Sequence, residues 1–117
     1  MPNDFKMKLY RVKMGPGIGL LVEGTSIKAH SLIRIEGEGG YLLIYFLAED
    51  SPVPNPPAFV RPDGNSGGIC VPMSEMPAYM DMIRNEDPIY IVLFPDKPEY
   101  NHIATAWEKV GSGDDPW

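Results

Sequence analysis

The stretch IKAHSLIRIEGEGGYLLIYFLA, residues 27–48, decides how the chain folds. Its first half places Ile27, Ala29, Ile33 and Ile35 on one parity, with Lys28, His30, Arg34 and Glu36 on the other. A period of two marks a strand with one face on a core and the other toward water. Glu36-Gly37-Glu38-Gly39-Gly40 reverses the chain, and Tyr41 to Ala48 follows as the hairpin partner with no polar side at all. Such a strand needs cover on both faces.

Toward the N-terminus, Phe5, Met7 and Leu9 alternate with Lys6, Lys8 and Tyr10, which is again a strand. The phase then slips, because Val12 and Met14 fall on the former polar side; a bulge near Tyr10 and Arg11, or departure from the core, would produce this. Gly15-Pro16-Gly17-Ile18-Gly19 reads as a turn that ends the strand, with a short second strand from Ile18 to Glu23.

Toward the C-terminus, four prolines between Glu49 and Pro57 exclude a helix or a central strand and make this a loop inside the domain. Phe59 to Arg61 fits an extended segment, Asp63 to Gly68 a turn, and Ile69, Cys70 and Val71 a short buried strand. The period then changes. Met76, Tyr79, Met80 and Ile83 fall at i, i+3, i+4 and i+7 on one helical face, with Ser74 as the expected N-cap, Pro77 tolerable in the first turn and Pro88 as the stop. Ile89 to Phe94 is a second strand almost without a polar side. A last strand from His102 to Val110 sets Ile103, Thr105 and Trp107 opposite His102, Ala104, Ala106 and Glu108, and Gly111 to Trp117 has the composition of a loose tail.

The expected architecture is therefore α+β: a curved, mostly antiparallel sheet of five or six strands with one packed helix, in a single domain spanning residues 1–110. A helix of about 12 residues is roughly 18 Å long and covers one face of about three strands. Either the sheet curls toward a barrel around its own side chains, or its uncovered face packs on a second copy. The second option, a homo-oligomer, is the expectation here; the other is a monomer whose proline loop folds over the sheet.

Composition narrows the function. The 117 residues carry ten Lys and Arg against sixteen Asp and Glu, a net charge of −6. Up to Arg34 there are six basic residues against two acidic, a local +4, and the remainder sums to −10. An acidic chain of this kind repels nucleic-acid phosphate and anionic lipid, so neither is an expected partner. A bilayer crossing needs about 18 consecutive apolar residues, and the longest run, Tyr41 to Ala48, stops at eight. No signal-peptide pattern follows Lys6 and Lys8, which makes the cytoplasm the expected location. The single cysteine, Cys70, excludes an internal disulfide and any multi-cysteine metal site.

No catalytic motif stands out. Gly64-Asn65-Ser66-Gly67-Gly68 resembles the nucleophile segment of trypsin-like serine proteases, and Ala29-His30-Ser31 faintly echoes their histidine segment, yet the chain is too short for their two barrels and has no recognisable buried acid partner. Cys70, between Ile and Val, reads as a small core residue rather than a nucleophile. Gly15 to Gly19 lacks the Lys and Ser/Thr of a phosphate-binding loop. The two histidines stand in no metal-ligand spacing, and neither a metal nor a cofactor is expected. Carboxylate pairs such as Glu36 with Glu38 lie in turns and read as solvated charge.

The candidate surface comes from the central hairpin. If Lys28, His30 and Arg34 share a face with Tyr41 and Tyr45, cationic donors stand beside amphipathic rings, a mixture suited to a small anionic or aromatic ligand and equally to a subunit interface. Trp107 completes this ligand-binding or interface set. Met73, Met76, Met80 and Met82 around the helix suit an adaptable apolar pocket, although methionines at helical spacing are usually core packing.

The last third, with its short helix running into Pro88-Ile89-Tyr90-Ile91-Val92-Leu93-Phe94, a Pro-rich turn and Ile103-Ala104-Thr105-Ala106-Trp107-Glu108-Lys109-Val110-Gly111, resembles small uncharacterised bacterial proteins, including those of mobile integron gene cassettes. That resemblance implies a compact α+β domain, often oligomeric, and transfers no functional residue. The leading functional expectation is a non-catalytic, homo-oligomeric binding or adaptor module for a small molecule or a protein partner. Its rival is a small hydrolase or isomerase with His30 or His102 as general base. An enzyme requires a histidine in a concave site within hydrogen-bond reach of a second polar group.

Overall fold

Seven strands and one helix make up residues 2–106, which the computed structural model describes: β1 (Asn3–Val22), β2 (Thr25–Gly37), β3 (Gly40–Leu47), β4 (Ala58–Val60), β5 (Ser66–Pro72), α1 (Met76–Asn85), β6 (Ile89–Leu93) and β7 (His102–Thr105). All seven strands join one sheet in the order β4-β5-β3-β2-β1-β6-β7, strongly curled into a half-barrel. The count exceeds the five or six strands expected. β4 is only three residues long, and β5 begins at Ser66, inside the run expected to be a turn. Gly67 and Gly68 are in that strand because the β4 backbone at Phe59 and the Phe59 ring lie directly over them, where a Cβ would collide. Of the six strand pairings, five are antiparallel; β3 and β5 run parallel.

The first two expected strands are one. β1 runs through Gly15 to Gly19 without a break, and the irregularity is absorbed in its ladder with β2, where Met14 pairs with Ser31 and Ile18 with Ala29. The glycine and proline run is therefore a bulge rather than a turn. A smaller bulge sits at Lys8, between the Met7–Gly37 and Leu9–Glu36 pairs, slightly before Tyr10 and Arg11. The real reversal is at Glu23-Gly24, where φ values of 48° and 79° suit a two-residue hairpin turn matched to strand twist.

On the inner face, Ile33, Ile35, Leu42, Ile44, Phe46, Ile69, Ile89, Ile91 and Leu93 form the main core. α1 closes it with buried Ile83 and half-buried Met76, Tyr79 and Met80, the face expected from the spacing, and Tyr79 meets Phe46 edge-on at 5.7 Å. Ser74 is not the cap. A 3₁₀ turn over Met73–Glu75 precedes α1, so the last extended residue is Pro72 and Glu75 occupies the N-cap position without a side-chain hydrogen bond. The outer face holds a second cluster of Val22, Ile27, Tyr45, Leu47 and Cys70, with Leu20, Leu32, Leu43 and Phe59 half-buried around it. The proline loop docks beside these strands: Pro54 is fully buried, Ala48 N–H donates to the Lys28 carbonyl at 2.9 Å, and Lys28 N–H donates to Ser51 Oγ at 2.9 Å. The proline loop thus covers part of the outer face, while Tyr41, Leu43, Tyr90, Val92 and Phe94 stay half-buried.

The two ends of the strand order meet through one buried side chain. Asn101, just before β7, accepts the Phe94 N–H on Oδ1 at 2.8 Å, and its Nδ2 donates to the carbonyl of Phe59 in β4 at 3.0 Å and that of Gly68 in β5 at 3.4 Å. No helix among the described residues is long and apolar enough to cross a membrane. The expected end of the last strand, Trp107 and the tail at 111–117 lie outside the described residues.

Candidate functional site

The hairpin does not bring the expected site together; it divides it. Relative to β3, β2 gains one residue between the Ala29–Leu47 and Ser31–Phe46 pairs, and that residue is His30. Directly paired residues share a face, so the bulge moves Ile27 and Ala29 to the outer face while Ser31, Ile33 and Ile35 stay inside. His30 leaves the register that Arg34, Tyr41 and Tyr45 keep.

Those three residues form a self-satisfied outer patch. The Arg34 guanidinium sits 4.0 Å from the centre of the Tyr41 ring and its Nε donates to Glu36 Oε1. Arg61 Nε donates to Tyr41 Oη at 3.2 Å and its guanidinium lies 5.4 Å from the Phe59 ring, which in turn tilts against Tyr45 at 6.5 Å. Burial pushes the Tyr41 phenol up, but hydrogen bonds with Ser66 and Arg61 and the two guanidinium charges outweigh it, leaving the group below its ordinary value. Tyr45 is buried, and burial pushes its phenol up. The hollow beside this patch, about 230 Å³, is lined by Arg34, Glu36, Tyr41, Asp63, Asn65 and Ser66, and two of those polar groups are carboxylates. Lys28 is elsewhere, its Nζ 3.3 Å from Asp50.

A larger space opens where His30 points. It lies between the C-terminal ends of β3 and β5, the loop from Glu49 to Val53, and the entry to α1, with a volume of about 960 Å³. Leu47, Ala48, Val71, Pro72, Met73, Met76, Pro77 and Met80 line it, and Val53 and Met73 are exposed on its margin. The position of Met76 is pinned from behind by Ser31, a fully buried hydroxyl that donates to Met76 Sδ at 3.1 Å. Met76 and Met80 therefore do both things considered for them: they pack on the core and they line a cavity.

The polar groups of this cleft are few. Ser51 is already used, accepting from Lys28 N–H and donating to the Pro52 carbonyl at 2.9 Å. The His30 side chain makes no hydrogen bond among the described residues. Cys70 reaches the wall, but burial pushes its thiol up to about 11, so the thiolate is scarce at neutral pH. His102 is outside the cleft, with Nδ1 2.7 Å from the Tyr100 carbonyl oxygen and its ring stacked on Phe94 at 6.0 Å. Among the described residues no group of three His, Cys, Asp or Glu side chains is placed to hold a metal ion. Comparison with known proteins finds no matching family model, no matching curated protein and no matching solved structure. The chemistry of the cleft has to speak for itself.

The signal for this cleft in the sequence was the methionine set. What hid the site was the bulge: apolar residues continue at 27, 29, 33 and 35 on one parity through a position where the strand changes face.

Proposed function

We propose that the chain is a non-catalytic binding module whose cleft takes up a small apolar molecule, aromatic or chain-like. The supporting observation is the cleft of about 960 Å³ walled by Leu47, Met76 and Met80 with Val53 exposed at its mouth. Ligand sites span roughly 300–1,000 Å³ and are mostly apolar with a few polar groups that orient the ligand. Methionine suits such a wall, because an unbranched, polarizable thioether adjusts to ligands of different shape. His30, Glu49 and Ser74 are the polar groups available to orient what binds.

The neutral dye N-phenyl-1-naphthylamine tests this directly. Its fluorescence should rise saturably with the wild-type protein, and Met80→Glu should weaken binding by about tenfold or more, since an unpaired carboxylate in an apolar wall is costly to desolvate. Val53→Asp, at an exposed position, should weaken binding without touching the core. Equal dye binding by both variants and the wild type overturns the reading.

A second reading, a small enzyme with His30 as general base, is favoured by the location of that histidine in the wall. It needs a second polar group within reach of the ring, and none is hydrogen-bonded to it among the described residues. The binding reading expects His30→Gln to change dye affinity far less than Met80→Glu does, because the apolar wall carries most of the contact.

A further inference from the structure

β1 is twenty residues long, and it changes partner along its length: Asn3 to Lys6 pair with β6, and pairing with β2 begins at Met7. From Met7 onward its sole described neighbour is β2, and among the described residues nothing pairs with the N–H and C=O groups of the opposite edge, a template for another strand. Residues Lys8, Leu9, Tyr10, Arg11, Lys13 and Met14 are all exposed. Of the seven large apolar side chains exposed among the described residues, four are on this strand: Leu9, Tyr10, Met14 and Leu21. The edge is also basic. No acidic residue occurs between Phe5 and Val22 in a chain whose net charge is −6, and among the described residues only Lys8 has an ion-pair partner, Glu38 at 3.6 Å.

The register says what kind of strand would fit. Leu9, Arg11 and Lys13 lie opposite Glu36, Arg34 and Leu32 on the outer face, whereas Tyr10, Val12 and Met14 lie opposite Ile35, Ile33 and Ser31 on the inner one. An added strand would set its own alternate side chains beside these two rows. On the outer side it meets Arg11 and Lys13 with Arg34 behind them, which favours carboxylates; on the inner side it meets Tyr10 and Met14, which favours apolar groups. A second copy is the wrong occupant, because two such edges would set Lys8, Arg11 and Lys13 against one another, and like charges across a pair destabilise it.

We infer that β1 between Lys8 and Met14 is a docking edge for an extended acidic peptide segment in which carboxylates alternate with apolar side chains. The segment pairs with the strand through its main chain, and Arg11 and Lys13 select it by charge. Seven residues of edge offer about 23 Å of pairing length.

The probe is a blocked heptapeptide alternating Glu with Leu or Val, titrated into the ¹⁵N-labelled full chain. Amide shifts should concentrate in Lys8–Met14, and affinity should fall about tenfold between low and high salt as exposed charges are screened. The double variant Arg11→Glu, Lys13→Glu should lose the Glu peptide and gain its Lys counterpart. N-methylation of alternate peptide residues on the pairing edge should abolish binding while leaving the protein unaltered, so misfolding cannot mimic the result. The inference is overturned by absence of binding at millimolar peptide, by shifts mapping to the cleft, by indifference to N-methylation or charge reversal, or by light scattering that shows a dimer formed through β1 instead.

Discussion

The parallel pair β3 and β5 has two unlike ends. At the N-terminal end, where Tyr41 stands beside Ser66, polar groups find partners: Arg34 with Glu36, Arg61 with Tyr41, Asn65 N–H with Asp63 Oδ1 at 2.9 Å, and Asn3 Nδ2 with the Gly64 carbonyl at 2.7 Å. Glycines there admit neighbouring backbone, as at Gly40, where a Cβ would collide with the Asn65 carbonyl and the Phe5 ring. At the C-terminal end, where Leu47 stands beside Pro72, the strands run out into a cleft of thioethers and prolines in which His30 has no described partner. One end is closed by its own side chains and the other is left room for something else. A cluster of charged and aromatic residues is thus no guide to a binding site until its mutual contacts are known.

The largest expected effect falls on the closed side. Asn101→Ala removes the side chain that joins β4 and β5 to the end of β6, leaving the Phe94 N–H and the Phe59 carbonyl without their partner. Asn101 is buried but the two groups it leaves are only half-buried, so a loss of about 2 kcal/mol is expected in denaturant unfolding. Dye binding at the cleft should persist under native conditions. If the loss is under 1 kcal/mol, the seam does not hold the half-barrel together and the comparison fails.

Cys70 sharpens the open side. The cleft reaches this thiol without activating it: with its value pushed up to about 11 by burial, its thiolate fraction at pH 8 is near 10⁻³. Reaction with a disulfide reagent at that pH should be about a hundredfold slower than for a free thiol, and full speed should return on denaturation. Fast reaction in the folded protein would mean that Cys70 is a working nucleophile in the wall of the cleft.

How much of this was legible in advance depends on whether a feature is local. The all-apolar runs at Tyr41–Ala48 and Ile89–Phe94 and the face of α1 are patterns within one element, and each lies where its pattern implies. Features set by a neighbour were not legible. The Gly15–Gly19 run has turn composition but is kept in a strand by β2. Gly67-Gly68 also has turn composition but is needed for the close approach of Phe59. The bulge at His30 leaves the apolar alternation intact, so nothing in the residues themselves announces that Arg34, Tyr41 and Tyr45 are on one side and His30 in a cleft. The seam at Asn101 joins residues 33 and 42 positions apart, beyond the reach of any periodicity.

The smallest expected effect sets the two ends against each other by pH. Tyr41, at the closed end, has its phenol held below the ordinary value of 10.0, with Ser66, Arg61 and Arg34 outweighing its burial. Tyr45, nearer the centre of the same strand and buried, has its phenol pushed above that value. Where the folded value is lower, the unfolded chain holds its proton to higher pH, so this group's contribution to stability grows as pH rises through the folded value and is complete above the unfolded one. It vanishes as pH falls, and at neutral pH Tyr41 contributes nothing by this route. For Tyr45 the sign reverses: its contribution is present below the unfolded value and is lost as pH rises through the folded one. Tyr41→Phe should therefore make the loss of stability between about pH 9 and 11 steeper, and Tyr45→Phe should make it shallower. Arg61→Ala should shift the Tyr41 phenol back upward in a tyrosinate absorbance titration, because it removes both a hydrogen bond and a charge from that ring. Identical alkaline slopes for the two phenylalanine variants would show that the arginine contacts at the closed end do not hold in solution, and that this end is as open as the cleft.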